Sequence, residues 1–184
     1  TPMAAALERR TFNPLPENTC REIFLLTHDY LVSKGYLHYE VSNFSADDSF
    51  VSRHNRKDWE NAPYTGLGPA AHSFSQGRRW WNVASVKDYI SAIESRQPPA
   101  AGMERLSPEQ EMIEAIYLGL RRSAGIAVAA FQARFGVDFK AQFAPVLDRF
   151  ENEGYLTSSN DACALTRTGM LYVDGIASAF IDRL

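Results

Sequence analysis

Apolar residues recur at helical spacing between residues 17 and 35. Ile23, Phe24, Leu26, Tyr30 and Leu31 make a broad face, Thr27 is the one polar residue within it, and Gly35 supplies the stop. The pattern then changes to alternation, Tyr36-Leu-His-Tyr-Glu-Val-Ser-Asn-Phe44, rich in strand-forming Tyr36, Tyr39, Val41 and Phe44. A helix, a glycine and a strand in succession predict an α/β unit. Residues 45–63 are polar and aperiodic and read as loop. Tyr64 to Phe74 reads as a short strand running into a glycine loop, and Arg78 to Val83 as an edge strand. Ser85 caps a helix over 86–96 with Val86, Tyr89, Ile90 and Ile93 on one face. Residues 97–104, Gln-Pro-Pro-Ala-Ala-Gly-Met-Glu, have linker composition, and the domain boundary is placed there.

The tail is more regular. Ser107-Pro-Glu-Gln110 is a strong helix start, and the helix runs to about Ser123 with Met112, Ile113, Ile116, Tyr117 and Leu120 inward. A second helix covers about 127–135 and ends at Gly136. A third covers about 139–153, burying Phe139, Phe143, Val146, Leu147 and Phe150, with Pro145 a point of kinking or division. Two short strands about a turn at Ser158–Asp161 and a closing helix complete a winged-helix pattern. The expected organisation is an α/β portion over 1–100 and a helical domain over 105–184.

Composition narrows the function classes. The chain has 184 residues, 45% hydrophobic and 22% charged, with a formal net charge of -3. This is globular composition. No apolar run is long enough to span a membrane. The recognition position of the winged helix carries Lys140 and Arg149 against Asp148, Glu151 and Glu153, and phosphate contact needs cations, so DNA is not an expected partner. The two cysteines, Cys20 and Cys163, lie far apart without metal-site spacing. They fit a reducing cytoplasm and exclude a cluster held by three or four cysteines of this chain.

Candidate chemistry concentrates in the middle. Residues 50–90 are the only basic stretch and hold all three tryptophans, Trp59, Trp80 and Trp81. Arg53-His54-Asn55 followed by Trp59 offers an imidazole for a metal macrocycle and an indole as apolar wall, with Asn55 as ring partner or backbone cap. Gly66-Leu-Gly68-Pro-Ala-Ala71 imitates a dinucleotide fingerprint, but polar Asp58 to Pro63 precede it and no helix opens after it. Two readings remain for these glycines: close backbone approach to a ligand, or a structural turn. Glu40 and Ser42 fall on one strand face and Asn43 on the other, pointing either into a site or to water. Arg78, Arg79 and Lys87 either attract propionates or phosphates or stack on tryptophan.

Four ordered motifs carry a resemblance. Gly35-Tyr-Leu-His-Tyr-Glu-Val-Ser-Asn-Phe-Ser45, Ser52-Arg-His-Asn55, Tyr64-Thr-Gly-Leu-Gly-Pro-Ala-Ala-His-Ser73 and Arg79-Trp-Trp-Asn82 resemble, in order, stretches of the HemW/HemN-like radical S-adenosylmethionine family. The likeness extends from Thr1-Pro-Met-Ala4 to the tail and so covers the C-terminal half of such proteins. It implies an α/β fold: the remnant of a partial radical-SAM (β/α) barrel followed by a winged-helix-like HemN C-terminal domain. It implies a longer parent whose N-terminal part holds a [4Fe–4S] cluster and S-adenosylmethionine through C-x-x-x-C-x-x-C. This chain lacks that motif and is expected to be inactive alone.

The resemblance also assigns roles. The family's heme-binding H-N-x-x-Y-W motif falls on His54, Asn55 and Trp59, with Asp58 at the tyrosine position. The loop of Gly66, Gly68 and His72 matches one that contacts S-adenosylmethionine. Glu40, Ser42, Asn43 and Arg79 become the substrate face. The expected function is heme-binding chaperone activity in porphyrin and heme metabolism. The alternatives are anaerobic coproporphyrinogen III dehydrogenation and a ligand-free interaction module. Heme or porphyrinogen and a hemoprotein client are the expected partners, with self-association through the exposed half-barrel.

Overall fold

The computed structural model describes residues 1–184, and the architecture is a mixed arrangement of helices and strands. The first part contains α1 (Pro2–Glu8), α2 (Glu17–Ser33), β1 (Leu37–Glu40), β2 (Asn43–Ser45), α3 (Arg53–Trp59), β3 (His72–Ser75), β4 (Arg78–Asn82), α4 (Val86–Glu94) and β5 (Ala100–Arg105). The second contains α5 (Pro108–Arg121), β6 (Ile126–Ala127), α6 (Val128–Phe135), α7 (Phe139–Asn152), β7 (Leu156–Ser158), β8 (Ala162–Leu165) and α8 (Val173–Ile181).

The C-terminal helices follow their sequence signals closely. Ser107 and Gln110 close a reciprocal capping box at the start of α5, Asp138 caps α7, and Gly136 ends α6 in the left-handed conformation. Pro145 lies inside α7, which runs unbroken past it. The strands order as β6-β8-β7, all antiparallel. An 18-residue apolar cluster fills the space between helices and sheet, and Phe131, Phe139, Phe143 and Phe180 interlock within it. Burial of aromatic and aliphatic side chains at this density is the main stabilising term of the molecule.

The first part departs from expectation in five places. Residues 36–44 are not one strand. β1 turns back at Val41–Ser42 and pairs with β2 as a hairpin, because the Glu40 carboxylate accepts from the Ser42 N–H and the Asn43 amide and closes the turn. Residues 45–63 are not simply loop, since Asp47 caps a 3₁₀ turn and Ser52 caps α3. Tyr64 makes only an isolated bridge to Phe74, and the regular strand starts at His72. β4 is central rather than an edge, lying between β3 and β5. Residues 100–105 are not linker: they form β5, paired with β4 from Arg78↔Arg105 to Asn82↔Ala100.

Every strand pair is antiparallel, so the first part contains no parallel strand–helix–strand unit. The two parts join through backbone. The Val41 N–H donates to the Arg121 carbonyl (3.0 Å), and the Ser123 N–H to that of Tyr39 (3.1 Å). No helix is long and apolar enough to cross a membrane.

Candidate functional site

A large cavity, about 1040 Å³, opens where α3, the glycine loop, β3–β4 and α5 meet. His54, Lys57, Asp58, Asn61, Gly66, His72, Phe74, Arg79, Trp80, Ile113, Glu114 and Tyr117 are among its lining residues. Ligand pockets typically enclose about 300–1,000 Å³ with an apolar wall and a few polar groups.

Helix α3 creates the geometry at His54. Ser52 accepts the Asn55 N–H (3.2 Å) and so starts the helix, which places residues four apart on one side. His54 Nε2 lies 3.5 Å from Asp58 Oδ2. Asp58, which stands where the family motif has tyrosine, is thus the partner of the imidazole. The ring itself is open to solvent, with 86% of the side chain exposed. Asn55 contributes its backbone N–H to the cap. Trp59 lines a different cavity, beside Val51 and Arg122, so the helix separates it from His54. The expected imidazole–indole pair is not brought together.

The glycine loop is tied down from within. The Gly66 N–H donates to Ser73 Oγ (2.9 Å) and the Gly68 N–H to the Tyr89 hydroxyl (3.1 Å). Asn82 Nδ2 donates to the Gly68 carbonyl (2.9 Å). A Cβ on Gly66 would sit 2.1 Å from the His72 carbonyl oxygen, and Gly68 has φ of +105°. Both glycines therefore meet a structural need, and neither N–H is free for a ligand. Of the pair, only Gly66 reaches the cavity. His72 also lines it, its ring stacked on Trp81 with centroids 5.7 Å apart.

Arg79 is already neutralised. Its guanidinium donates to Glu114 (2.7 Å) and Glu104 (3.2 Å) and lies over the Phe74 ring. Burial pulls its pKa down, but the hydrogen bond and charge of Glu114 outweigh that and hold it above the ordinary value. It is a poor free cation for a propionate. Glu40, Ser42 and Asn43 do not join this cavity: Glu40 is spent on its own turn, and Ser42 borders a second cavity between α2 and residues 170–172.

Sequence reading missed three contributors. Lys57 lines the cavity and enters no ion pair. Asn61 adopts a left-handed backbone (φ 51°), and its buried Nδ2 has no partner. Buried donors are normally satisfied, so this amide is the wall group with an unmet need. Asn82, buried and two-handed, holds the loop shape. The stretch Asn61-Ala-Pro-Tyr64 gives little warning of Asn61, whereas Asn82 closes a motif that the sequence does mark.

Residues 106–172 match the HemN C-terminal domain family. The chain is 31% identical over 169 residues to the heme chaperone HemW of Bacillus subtilis (strain 168), covering 92% of this chain and 44% of that one. It is 29% identical over 175 residues to heme chaperone HemW of Lactococcus lactis, covering 95% and 45%. The fold matches a solved structure described as coproporphyrinogen III oxidase (HemN) from Escherichia coli, a radical SAM enzyme. There the TM-score is 0.69 at 16% identity, over 93% of this chain and 42% of that one. The chain spans less than half the length of these relatives.

Proposed function

We propose, from the premise that this chain is a HemW/HemN-like sequence corresponding to the C-terminal half of such proteins, that it carries the heme-facing part of a heme chaperone. The observation that carries this reading is convergence: His54, Gly66, His72 and Arg79, drawn from three separate motifs, line one cavity with Phe74, Trp80, Ile113 and Tyr117. The residues fit a tetrapyrrole. Apolar side chains offer a wall for the macrocycle, and Lys57 and the unpartnered Asn61 amide offer donors for propionate oxygens.

Heme held here would supply an iron that takes a nitrogen ligand. His54 is the proposed ligand, and Asp58 is the carboxylate that orients its ring through Nε2. His72, stacked on Trp81, shapes the opposite wall. The resemblance alone assigns the first part to the end of the parent's radical-SAM barrel domain, since its own strands pair only antiparallel, and the second part reads as a winged-helix-like domain. The helix–strand–helix–helix–hairpin order of α5, β6, α6, α7, β7 and β8 supports the latter. S-adenosylmethionine and a [4Fe–4S] cluster belong to the parent, because reductive cleavage of S-adenosylmethionine needs a cluster electron and the only cysteines here, Cys20 and Cys163, are one exposed and one in the core.

The test is a hemin titration of residues 1–184 followed by the Soret band. A saturable shift that His54→Ala weakens by about tenfold or more, a loss of roughly 1.4 kcal/mol, supports the reading. Equal binding by a folded His54→Ala variant overturns it.

A further inference from the structure

We propose that the cavity beside α3 seats one carboxylate of its ligand between Lys57 and Asn61, and so selects tetrapyrroles with free acid side chains over their neutral esters; this rests on the heme-facing reading above and sharpens it. The way α3 ends builds the seat. The Asn61 N–H donates to the Asp58 carbonyl (3.1 Å) and the Ala62 N–H to that of Lys57 (3.0 Å), a paired closure that calls for a left-handed residue at position 61. Asn61 takes that conformation, at φ 51°. Glycine fills such a position without steric cost. Asparagine brings an amide as well, and its Nδ2 is buried without a hydrogen-bond partner. Backbone strain and an unmet donor thus fall on one side chain of the cavity wall, the pairing expected where a ligand supplies the missing acceptor.

Charge decides what that acceptor is. Asp58 faces His54, and Glu114 faces Arg79, so Lys57 is the one charged side chain of the lining without a partner. The last carbonyls of α3, which would repel an anion, are taken up by the N–H groups of Glu60, Asn61 and Ala62. An ammonium and an amide N–H together suit the oxygens of a carboxylate. The spacing also fits. His54, Lys57, Asp58 and Asn61 recur at the interval that shares one side of a helix. Seven residues at helical rise span about 10 Å, the scale of the reach from a porphyrin centre to a propionate carboxyl. One side of α3 therefore addresses both the iron and an acid arm. An ester keeps the macrocycle and loses the charge that Lys57 answers.

The probes are hemin and hemin dimethyl ester, each titrated into residues 1–184 in one detergent-containing buffer and followed by the Soret band. The acid is expected to bind at least about tenfold tighter than the ester. Asn61→Gly and Lys57→Gln each lower the acid's affinity toward that of the ester, and together they bring the ratio to about one. His54→Ala weakens both ligands and keeps the preference. Lys87→Gln, the same loss of charge at a position that does not line the cavity, keeps it too. Glycine suits the left-handed position, so Asn61→Gly leaves the melting temperature of the free protein level or raised. A fall of more than about 5 °C would mark the amide as a structural group and overturn the proposal. Acid and ester binding equally well through His54 overturns the seat and leaves the heme-facing reading standing, and so does a preference that survives in the double variant. No saturable binding of either ligand overturns both.

Discussion

Residues 1–105 and 106–184 are built on opposite terms. The apolar cluster lies wholly between Ile116 and Phe180, whereas α1, α2 and α4 contain no fully buried residue, Phe24 of α2 being partly buried against the cluster. Leu26 on α2 and Val86 on α4 are mostly exposed, at 69% and 62%. The first part instead spends polar groups on shape: Glu40 on its turn, Asn82 on the glycine loop, Arg79 between two carboxylates. Stability is concentrated in one region and chemistry-bearing side chains in the other. The large cavity lies at the seam, with α5 lending its flank to α3 and the β3–β4 strands.

Four experiments press on that contrast, the largest effect first. Cys163 is fully buried, and its thiol is pushed up to about 12, first by burial and then by the Glu151 charge. Thiolate is the reactive form, so native Cys163 should label at least about a thousandfold more slowly than exposed Cys20 at pH 8. Peptide mass spectrometry after timed alkylation reads the ratio, and comparable rates would mean the C-terminal core opens readily. Next, Phe143→Ala removes a ring that is 0% exposed and contacts Phe131, Phe139 and Phe180. A loss of about 3–5 kcal/mol is expected by denaturant unfolding.

Asn82→Ala should cost about 1–3 kcal/mol by unbonding the Gly68 carbonyl, and should weaken heme uptake as the loop relaxes. Unchanged heme affinity would separate loop shape from the site. Smallest of all, Leu26→Ser on the open face of α2 should change stability by less than about 0.5 kcal/mol. A drop of core size would show that this face is packed in solution.

What the sequence made legible follows the same division. In the tail, periodicity and caps agree: Ser107, Asp138 and Gly136 announce helices whose apolar stripes then meet in one core. In the first part, local pattern and tertiary pairing disagree. Alternation ran straight through Val41–Ser42, because the turn there is closed by a side chain, Glu40, rather than by glycine. Helix α3 has seven polar-rich residues and no apolar stripe, so its only signal was Ser52 as cap. β5 has linker composition, and ladder bonds to β4 decide its conformation.

The site fared accordingly. His54, Gly66, His72 and Arg79 line one cavity, while Trp59 does not, since five residues of helix carry it to the other side. The His54–Asp58 relation became visible only once α3 was known to be helical.

The central claim is that a tetrapyrrole enters at the seam between the two regions. Zinc protoporphyrin, which is diamagnetic, titrated into isotopically labelled protein tests this by amide shift mapping. Shifts are expected to gather on Thr65, Gly66, His72, Phe74 and Ile113 around the large cavity. Shifts centred instead on Phe24, Phe44 and Tyr172 around the α2 cavity, or none at saturating porphyrin, would contradict it.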